Sequence, residues 1–196
     1  MPAEEPLPFT LFREAFARAR AAGLELPEAM SLATVSADGR PSLRMVLLKG
    51  LDDRGFVFYT NLGSRKAREL AALPVAALCF HWSLPVAEQV RVEGPVEPVT
   101  AAEADAYFRT RPRGSQLGAW ASRQSEPLAS HELLEGRLRE AQARFAGGEV
   151  ERPSFWSGFR VVPETIELWK GMPDRLHVRR LFRRRPEGFV EELLHP

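Results

Sequence analysis

The hydrophobic period changes several times along the chain, and each change marks a different element. Leu11, Phe12, Ala15, Phe16 and Ala19 recur at helical spacing; Thr10 can cap this helix and Gly23 can end it. From residue 30 the period shortens to that of strands. Residues 30–36 and 42–49 read as two strands around Ala37-Asp38-Gly39-Arg40, a hairpin signal, and the turn Leu51-Asp52-Asp53-Arg54-Gly55 leads into a third strand at 56–60. A short helix over 64–73 precedes two further strands, 75–82 and 88–96. Helical spacing returns at 101–110, 115–121 and 129–146, the last stopped by Gly147-Gly148. The tail reads as strands again at 159–162, 165–169, 175–182 and 189–193. Hairpins early and late, with helices between, predict a mainly antiparallel β-barrel with flanking helices, in a single domain over residues 1–196.

Composition narrows the partners rather than the fold. Lys and Arg number 27 against 26 Asp and Glu, so no global field draws the chain to nucleic acid or to a membrane surface. Cys79 is the only cysteine, which excludes an intrachain disulfide and a cysteine zinc site; its place in Val75-Ala76-Ala77-Leu78-Cys79-Phe80 predicts a buried structural thiol. The four histidines show no close metal-ligand spacing, so no metal is expected. The start, MPAEEPLPF, has neither a basic leader nor a long apolar core, and no stretch has the apolar length of a membrane span; a cytoplasmic location is expected. Neither the Gly-rich dinucleotide fingerprint nor the P-loop pattern occurs, and no nucleophile elbow is present.

Polar residues in unusual places carry the candidate chemistry. Ser64-Arg65-Lys66 puts two cations into the first turn of a helix, where the backbone dipole favours anions; backbone N–H groups, a hydroxyl and two positive charges there suit a phosphate, with a solvated helix end as the alternative. Arg44 and Lys49 bracket Met45-Val46-Leu47-Leu48, and simple alternation places them on opposite faces of their strand, where they serve different ligands or are strand-end cations in water. Gln89 and Arg91 share one face of a half-buried strand, as a plain polar-out face would also require. Tyr107 and Arg111 are neighbours on one helix face, and Ser115 can cap the helix that follows Pro112, which gives a second candidate anion site. In Arg175-Leu176-His177-Val178-Arg179 a period of two puts Arg175, His177 and Arg179 on one face, where an anion or an electron-rich ring would offset their repulsion. Trp169, at the end of the preceding strand, offers a stacking wall.

The runs RMVLLK, FYTNLGSRKA, YFRTRPRGSQLGAW, RQS, PSFWSGFRV and IELWKGMPDRLHVR closely resemble the pyridoxine (pyridoxamine) 5′-phosphate oxidase family, in order from about Pro8 to the C-terminus. The resemblance implies an FMN-binding split β-barrel with a Greek-key core, and a homodimer with one FMN in each of two interface sites. Carried over by position, it assigns Arg44, Met45, Val46, Leu47, Leu48, Lys49, Tyr59, Thr60, Arg65, Lys66, Gln89, Gln124, Ser125, Trp169 and Arg179 to the cofactor. Arg44, Arg65 and Lys66 fall to its phosphate, and Gln124 and Ser125 are expected from the partner subunit. Lys49, Tyr107, Arg111 and Ser115 match the family's substrate-phosphate positions, and Arg175 and His177 those over the pyridine ring.

The implied reaction is oxidation of pyridoxine 5′-phosphate or pyridoxamine 5′-phosphate to pyridoxal 5′-phosphate. Dioxygen accepts the electrons and hydrogen peroxide is released. Arg175 is assigned to orienting the reacting carbon, and His177 to proton acceptance or to binding alone. Two departures stand out. Val178 replaces the Asp common in the family, and the stretch before Pro8 is short. A related flavin oxidase acting on a phenazine precursor is the alternative; the Tyr107, Arg111 and Ser115 cluster argues against it. A module binding RNA through its arginine-rich tail is a third reading, at odds with the near-neutral charge.

Overall fold

The computed structural model describes residues 5–196; residues 1–4, part of the short stretch before Pro8, lie outside it. Helix α1 (Leu7–Ala21) precedes strands β1 (Ala29–Val35), β2 (Pro41–Leu47), β3 (Gly50–Leu51) and β4 (Phe56–Asn61). Then come α2 (Arg65–Ala72), β5 (Val75–Trp82) and β6 (Glu88–Pro98), and three helices, α3 (Ala101–Thr110), α4 (Arg113–Ala121) and α5 (His131–Arg144). Four strands close the chain: β7 (Trp156–Val161), β8 (Thr165–Lys170), β9 (Val178–Arg185) and β10 (Gly188–Leu194).

Every strand pairing is antiparallel. The main order is β10-β9-β8-β6-β5-β1-β2, and β7, β4 and β3 branch from β6. Strand β6 makes the branch by changing partner: Glu88–Glu93 pairs with β8, whereas Val96–Pro98 pairs with β7. Gly94 lies at the switch, and a Cβ there would sit 2.1 Å from the Val162 carbonyl oxygen, so only glycine lets the two backbones approach. The sheet thus curls into the expected split barrel.

The main core is built by one face of α1 packed with side chains of the strands. Phe12 packs edge-on to Phe56 and to Phe80, each 4.9 Å away between ring centroids, and Trp82, Val90, Val92, Ile166 and Phe182 complete this core. A second core of Phe108, Leu117, Ala141, Phe145, Val150 and Trp156 seats α3, α4 and α5 beside β7. Cys79 is half-buried, and burial raises its thiol pKa, which leaves it a weak nucleophile.

Local expectations fail where turn chemistry overrides period. Helix α1 starts at Leu7, after Pro6, because Pro8 is tolerated in a first turn; Thr10 is inside the helix and its hydroxyl donates to Glu5 (3.1 Å) rather than capping. Ser115 is likewise the third residue of α4, which begins after Pro112. The tail differs most. Pro173–Arg175 forms a 3₁₀ turn with Asp174 and Arg175 at φ of 56° and 61°, so β9 begins only at Val178 and strand alternation does not govern Arg175 or His177.

Candidate active site

A cavity of about 860 Å³ is walled by β2, β4, α2, α3, α4 and the 122–125 segment. Two groups of cations line it.

The first group forms where β4 turns into α2. Strand β4 ends at Asn61, whose side-chain oxygen accepts from the Gly63 N–H (2.8 Å) and whose amide donates to the Ser122 carbonyl (3.2 Å). This closes the turn that delivers Ser64 as the N-cap of α2, accepting from the Ala67 N–H at 3.4 Å. Lys66 is buried, and its Nζ donates to Thr60 Oγ1 (3.0 Å), Ser64 Oγ (3.3 Å) and Gln124 Oε1 (3.3 Å), none of them charged. Burial, and then the Arg44 charge, bring its pKa down from 10.5 to about 8. Arg44 and Arg65 converge instead on one buried carboxylate, Glu69. Its Oε1 accepts from Arg65 Nε (2.8 Å), and its Oε2 from Thr34 (2.5 Å), Ser42 (2.6 Å) and Arg44 Nη2 (3.2 Å). Burial opposes the ionised form, but these donors outweigh it and hold the carboxyl at about 2.

Arg111 heads the second group. Its guanidinium lies 4.7 Å from the Trp156 ring centroid, and its Nη1 is buried with no hydrogen-bond partner among the described residues. Tyr107 and Ser115 line the cavity beside it, as does Lys49, which is 3.8 Å from Glu28. Tyr59 stacks on Tyr107 (4.1 Å) and on Trp156 (5.4 Å, planes 2° apart), which makes a flat apolar wall. Burial raises the pKa of both phenols, so they stay neutral donors. The wall depends on Gly158, the β7 residue opposite Tyr59, where a Cβ would meet the Tyr59 ring at 2.6 Å.

The cavity collects Arg44, Met45, Val46, Leu47, Lys49, Tyr59, Thr60, Arg65, Lys66, Tyr107, Arg111, Ser115, Gln124 and Ser125 from the sequence-based site. Three expectations change. Arg44 and Lys49 line the same cavity despite their parity, because β2 ends at Leu47 and Lys49 follows the bend into β3. Leu48 does not line it and packs against the main core. Gln124 and Ser125 lie in the cavity of their own chain, held by the Thr60 to Gln124 hydrogen bond (3.0 Å).

Gln89, Trp169, Arg175, His177 and Arg179 fall elsewhere. Gln89 and Trp169 are register partners that line a smaller cavity of about 380 Å³, and Trp169 in turn faces Arg179 across β8 and β9. Arg179 donates to Glu167 (2.8 Å), which also pairs with Arg91 (3.0 Å). Arg175 is exposed. The His177 ring is 4.6 Å from Trp169, and its Nδ1 accepts from the Met172 N–H at 3.2 Å. Sequence reasoning missed Ser42, Asn61, Glu69 and Trp156. Trp156 stands in the quoted run PSFWSGFRV, but no period marks it as part of a wall.

Residues 16–145 match the family model for pyridoxamine 5′-phosphate oxidase, and residues 156–196 match that for the pyridoxine 5′-phosphate oxidase C-terminal dimerisation region. The chain belongs to the pyridoxamine 5′-phosphate oxidase family. A pyridoxine/pyridoxamine 5′-phosphate oxidase of Myxococcus xanthus is 57% identical over 97% of this chain and 92% of that protein. One of Anaeromyxobacter dehalogenans is 55% identical over 100% and 98%. Among solved structures, PhzG from Burkholderia lata in complex with tetrahydrophenazine-1-carboxylic acid is 31% identical and superposes with a TM-score of 0.92, over 100% of this chain and 95% of that one. An FMN-binding, pyridoxamine 5′-phosphate oxidase-related protein of Nostoc punctiforme shares the fold, with a TM-score of 0.77 at 19% identity over 95% and 96%. The split barrel is therefore the fold of this oxidase family.

Proposed function

We propose that the chain forms a homodimer that binds one FMN in each of two interface cavities. It oxidises pyridoxine 5′-phosphate, or pyridoxamine 5′-phosphate with water consumed and ammonia released, to pyridoxal 5′-phosphate with dioxygen, releasing hydrogen peroxide. The observation that carries this reading is the pair of cation groups in one cavity. Among the described residues neither Lys66 nor Arg111 has a carboxylate partner, and the buried Nη1 of Arg111 has no hydrogen-bond partner at all. A buried cation without an anion is costly, so the donor set fits two phosphate esters, one from the cofactor and one from the substrate.

FMN, when bound, supplies the redox chemistry by accepting a hydride and passing the electrons to dioxygen. The chain's own groups bind and orient. Arg44, Arg65 and Lys66 hold the FMN phosphate, while Met45, Val46, Leu47, Tyr59, Thr60, Gln124 and Ser125 line the flavin. Lys49, Tyr107, Arg111 and Ser115 hold the substrate phosphate. A second copy supplies Gln89, Trp169, Arg175, His177 and Arg179, which are outside the cavity of their own chain. The match of residues 156–196 to a dimerisation region supports this, as do Leu43 and Met45, left 68% and 62% exposed at the cavity lining. Arg175 orients the reacting carbon. Because His177 Nδ1 accepts a backbone N–H, neutral His177 presents Nε2–H, which favours donation to a substrate oxygen over proton abstraction.

The test is direct. Purified protein is expected to show a flavin visible spectrum and to produce peroxide with each phosphorylated vitamer. Colourless protein that takes up no added FMN, or activity only on a tricyclic phenazine precursor, would overturn the reading.

A further inference from the structure

We infer that Glu69 is a positioning residue for the cofactor phosphate: it presents the terminal nitrogens of Arg65 to the cavity and locks Arg44 beside them as a fixed charge. This rests on the proposed FMN reading. Glu69 is not a cavity-lining group, and its side chain is only 6% exposed.

The geometry gives each arginine a different part. Glu69 Oε1 takes only the Nε–H of Arg65, so both terminal nitrogens of that side chain, which is 59% exposed, remain free of other hydrogen bonds among the described residues. Arg44 is held by both of its terminal nitrogens. Nη1 donates to the Leu32 carbonyl (3.1 Å) and to Thr34, and Nη2 donates to Ser42 and to Glu69. Thr34 and Ser42 in turn donate to Glu69 Oε2, so one carboxylate oxygen closes a network reaching from α2 to β1 and β2. The β1–β2 register sets Thr34 opposite Ser42, one residue pair along from Leu32 and Arg44 once the alternation of faces is counted.

Charge agrees with geometry. Arg44, Arg65 and Lys66 against Glu69 leave two positive charges, which match a phosphate monoester near its dianion at neutral pH. With its pKa held at about 2, Glu69 stays ionised throughout the physiological range. The carboxylate therefore offsets the mutual repulsion of two arginines, while among the described residues Lys66 has no counter-ion and stays available to the ligand.

The experiment compares FMN with riboflavin, which has the same ring system and no phosphate. Flavin-depleted Glu69→Gln and Glu69→Asp chains are titrated by flavin fluorescence quenching beside the parent chain. Glu69→Gln is expected to weaken FMN roughly tenfold or more while leaving riboflavin affinity unchanged, since charge-assisted hydrogen bonds to the phosphate are lost and the ring wall is not. Glu69→Asp keeps the charge but is one methylene too short to span both arginines, and is expected to weaken FMN to a smaller extent, again without effect on riboflavin. Riboflavin binding also reports that each variant is folded. Tighter FMN binding in Glu69→Gln would make Glu69 a mere competitor for the cations and overturn the inference. So would equal losses for both flavins, which would make its role purely structural. A parent chain that binds no FMN would instead overturn the functional reading beneath it.

Discussion

Among the described residues Arg111 and Lys66 are both cations without carboxylate partners, yet their surroundings give them different signatures. Arg111 is held by aromatic rings and belongs to the group assigned to the substrate. Arg111→Ala is expected to raise the KM for pyridoxine 5′-phosphate by roughly 10- to 100-fold, the loss of one charge-assisted hydrogen bond, while FMN stays bound. Steady-state kinetics alongside the flavin absorbance of the purified variant check this; an unchanged KM would reassign the residue. Lys66 adds a pH dependence. Its pKa in the free chain is about 8, below the ordinary 10.5, so the ammonium is lost as pH rises through about 8, and with it one partner of the phosphate. FMN affinity is expected to be level near pH 7, where the phosphate is close to its dianion, and to fall above pH 8, and Lys66→Ala is expected to abolish that alkaline step; fluorescence titrations across the range would show it. Both residues stand in the sequence-based site, Lys66 because cations in a first turn oppose the helix dipole and Arg111 because it shares a helix face with Tyr107 beside the start of the next helix. Glu69 and Trp156 violate nothing locally, so only their neighbours in space reveal them.

Helix α3 brings Tyr107 and Arg111 to the cavity, and besides its hydrophobic seat one buried guanidinium ties down its first turn. Arg160 on β7, 2% exposed at its side chain, donates to Glu103 in the first turn of α3 (2.8 Å), to Asp52 before β4 (2.7 Å) and to Glu97 on β6 (3.4 Å). Glu103 meanwhile closes a capping box with Thr100, and the hydrogen bond from Arg160 leads the causes that lower its carboxyl to about 2. Arg160→Met removes the shared cation and leaves three carboxylates together. The expected cost is about 3 kcal/mol, at the low end for a broken buried pair because the carboxylates are partly solvated. Since α3 carries substrate-binding groups and not the α2 phosphate site, substrate KM is expected to rise more than the FMN dissociation constant. Denaturant melts with parallel kinetics and flavin titrations test this, and equal effects on both ligands would refute it. The limits of α3 follow from its sequence, with a capping threonine at one end and Arg111-Pro112 at the other. Its attachment to β7 does not, because a lone arginine in a strand carries no sign of the three carboxylates it will meet.

Across the whole molecule, the proposed residues fall into two sets that one chain does not unite. The cavity set comes from β2, β4, α2, α3, α4 and 122–125, and the tail set from β6, β8, β9 and the 173–177 turn. If two copies complete each other's sites, variants impaired in the two sets should complement when assayed below the parental KM, where a raised KM is seen as lost rate. A two-fold dimer of one Arg111→Ala chain and one Arg175→Ala chain carries one doubly damaged site and one intact site. Random reassociation of equal amounts is therefore expected to recover about a quarter of parental activity, as half the dimers are mixed and each holds one good site of two. No recovery after verified subunit exchange would mean that each chain builds its site alone.

Local pattern sufficed for the order of the elements, though not for all their ends, and for the kinds of groups that bind an anion. The order of helices and strands follows from the hydrophobic period, the Ser64-Arg65-Lys66 turn is visible as cations at odds with their setting, and the Tyr107, Arg111 pair as neighbours on one helix face. Folding decided which of these groups share a space. Alternation tells which face of its own strand a side chain occupies, but not which strand or helix will lie against that face. Hence Arg44 and Lys49 meet in one cavity despite opposite parity, and Gln124 joins its own chain's Lys66. Arg175 and His177 leave the strand because a turn with positive φ supersedes the period of two. The network around Glu69 is the clearest case: β1, β2 and α2 are separate in sequence, and only their packing lets one carboxylate hold two arginines.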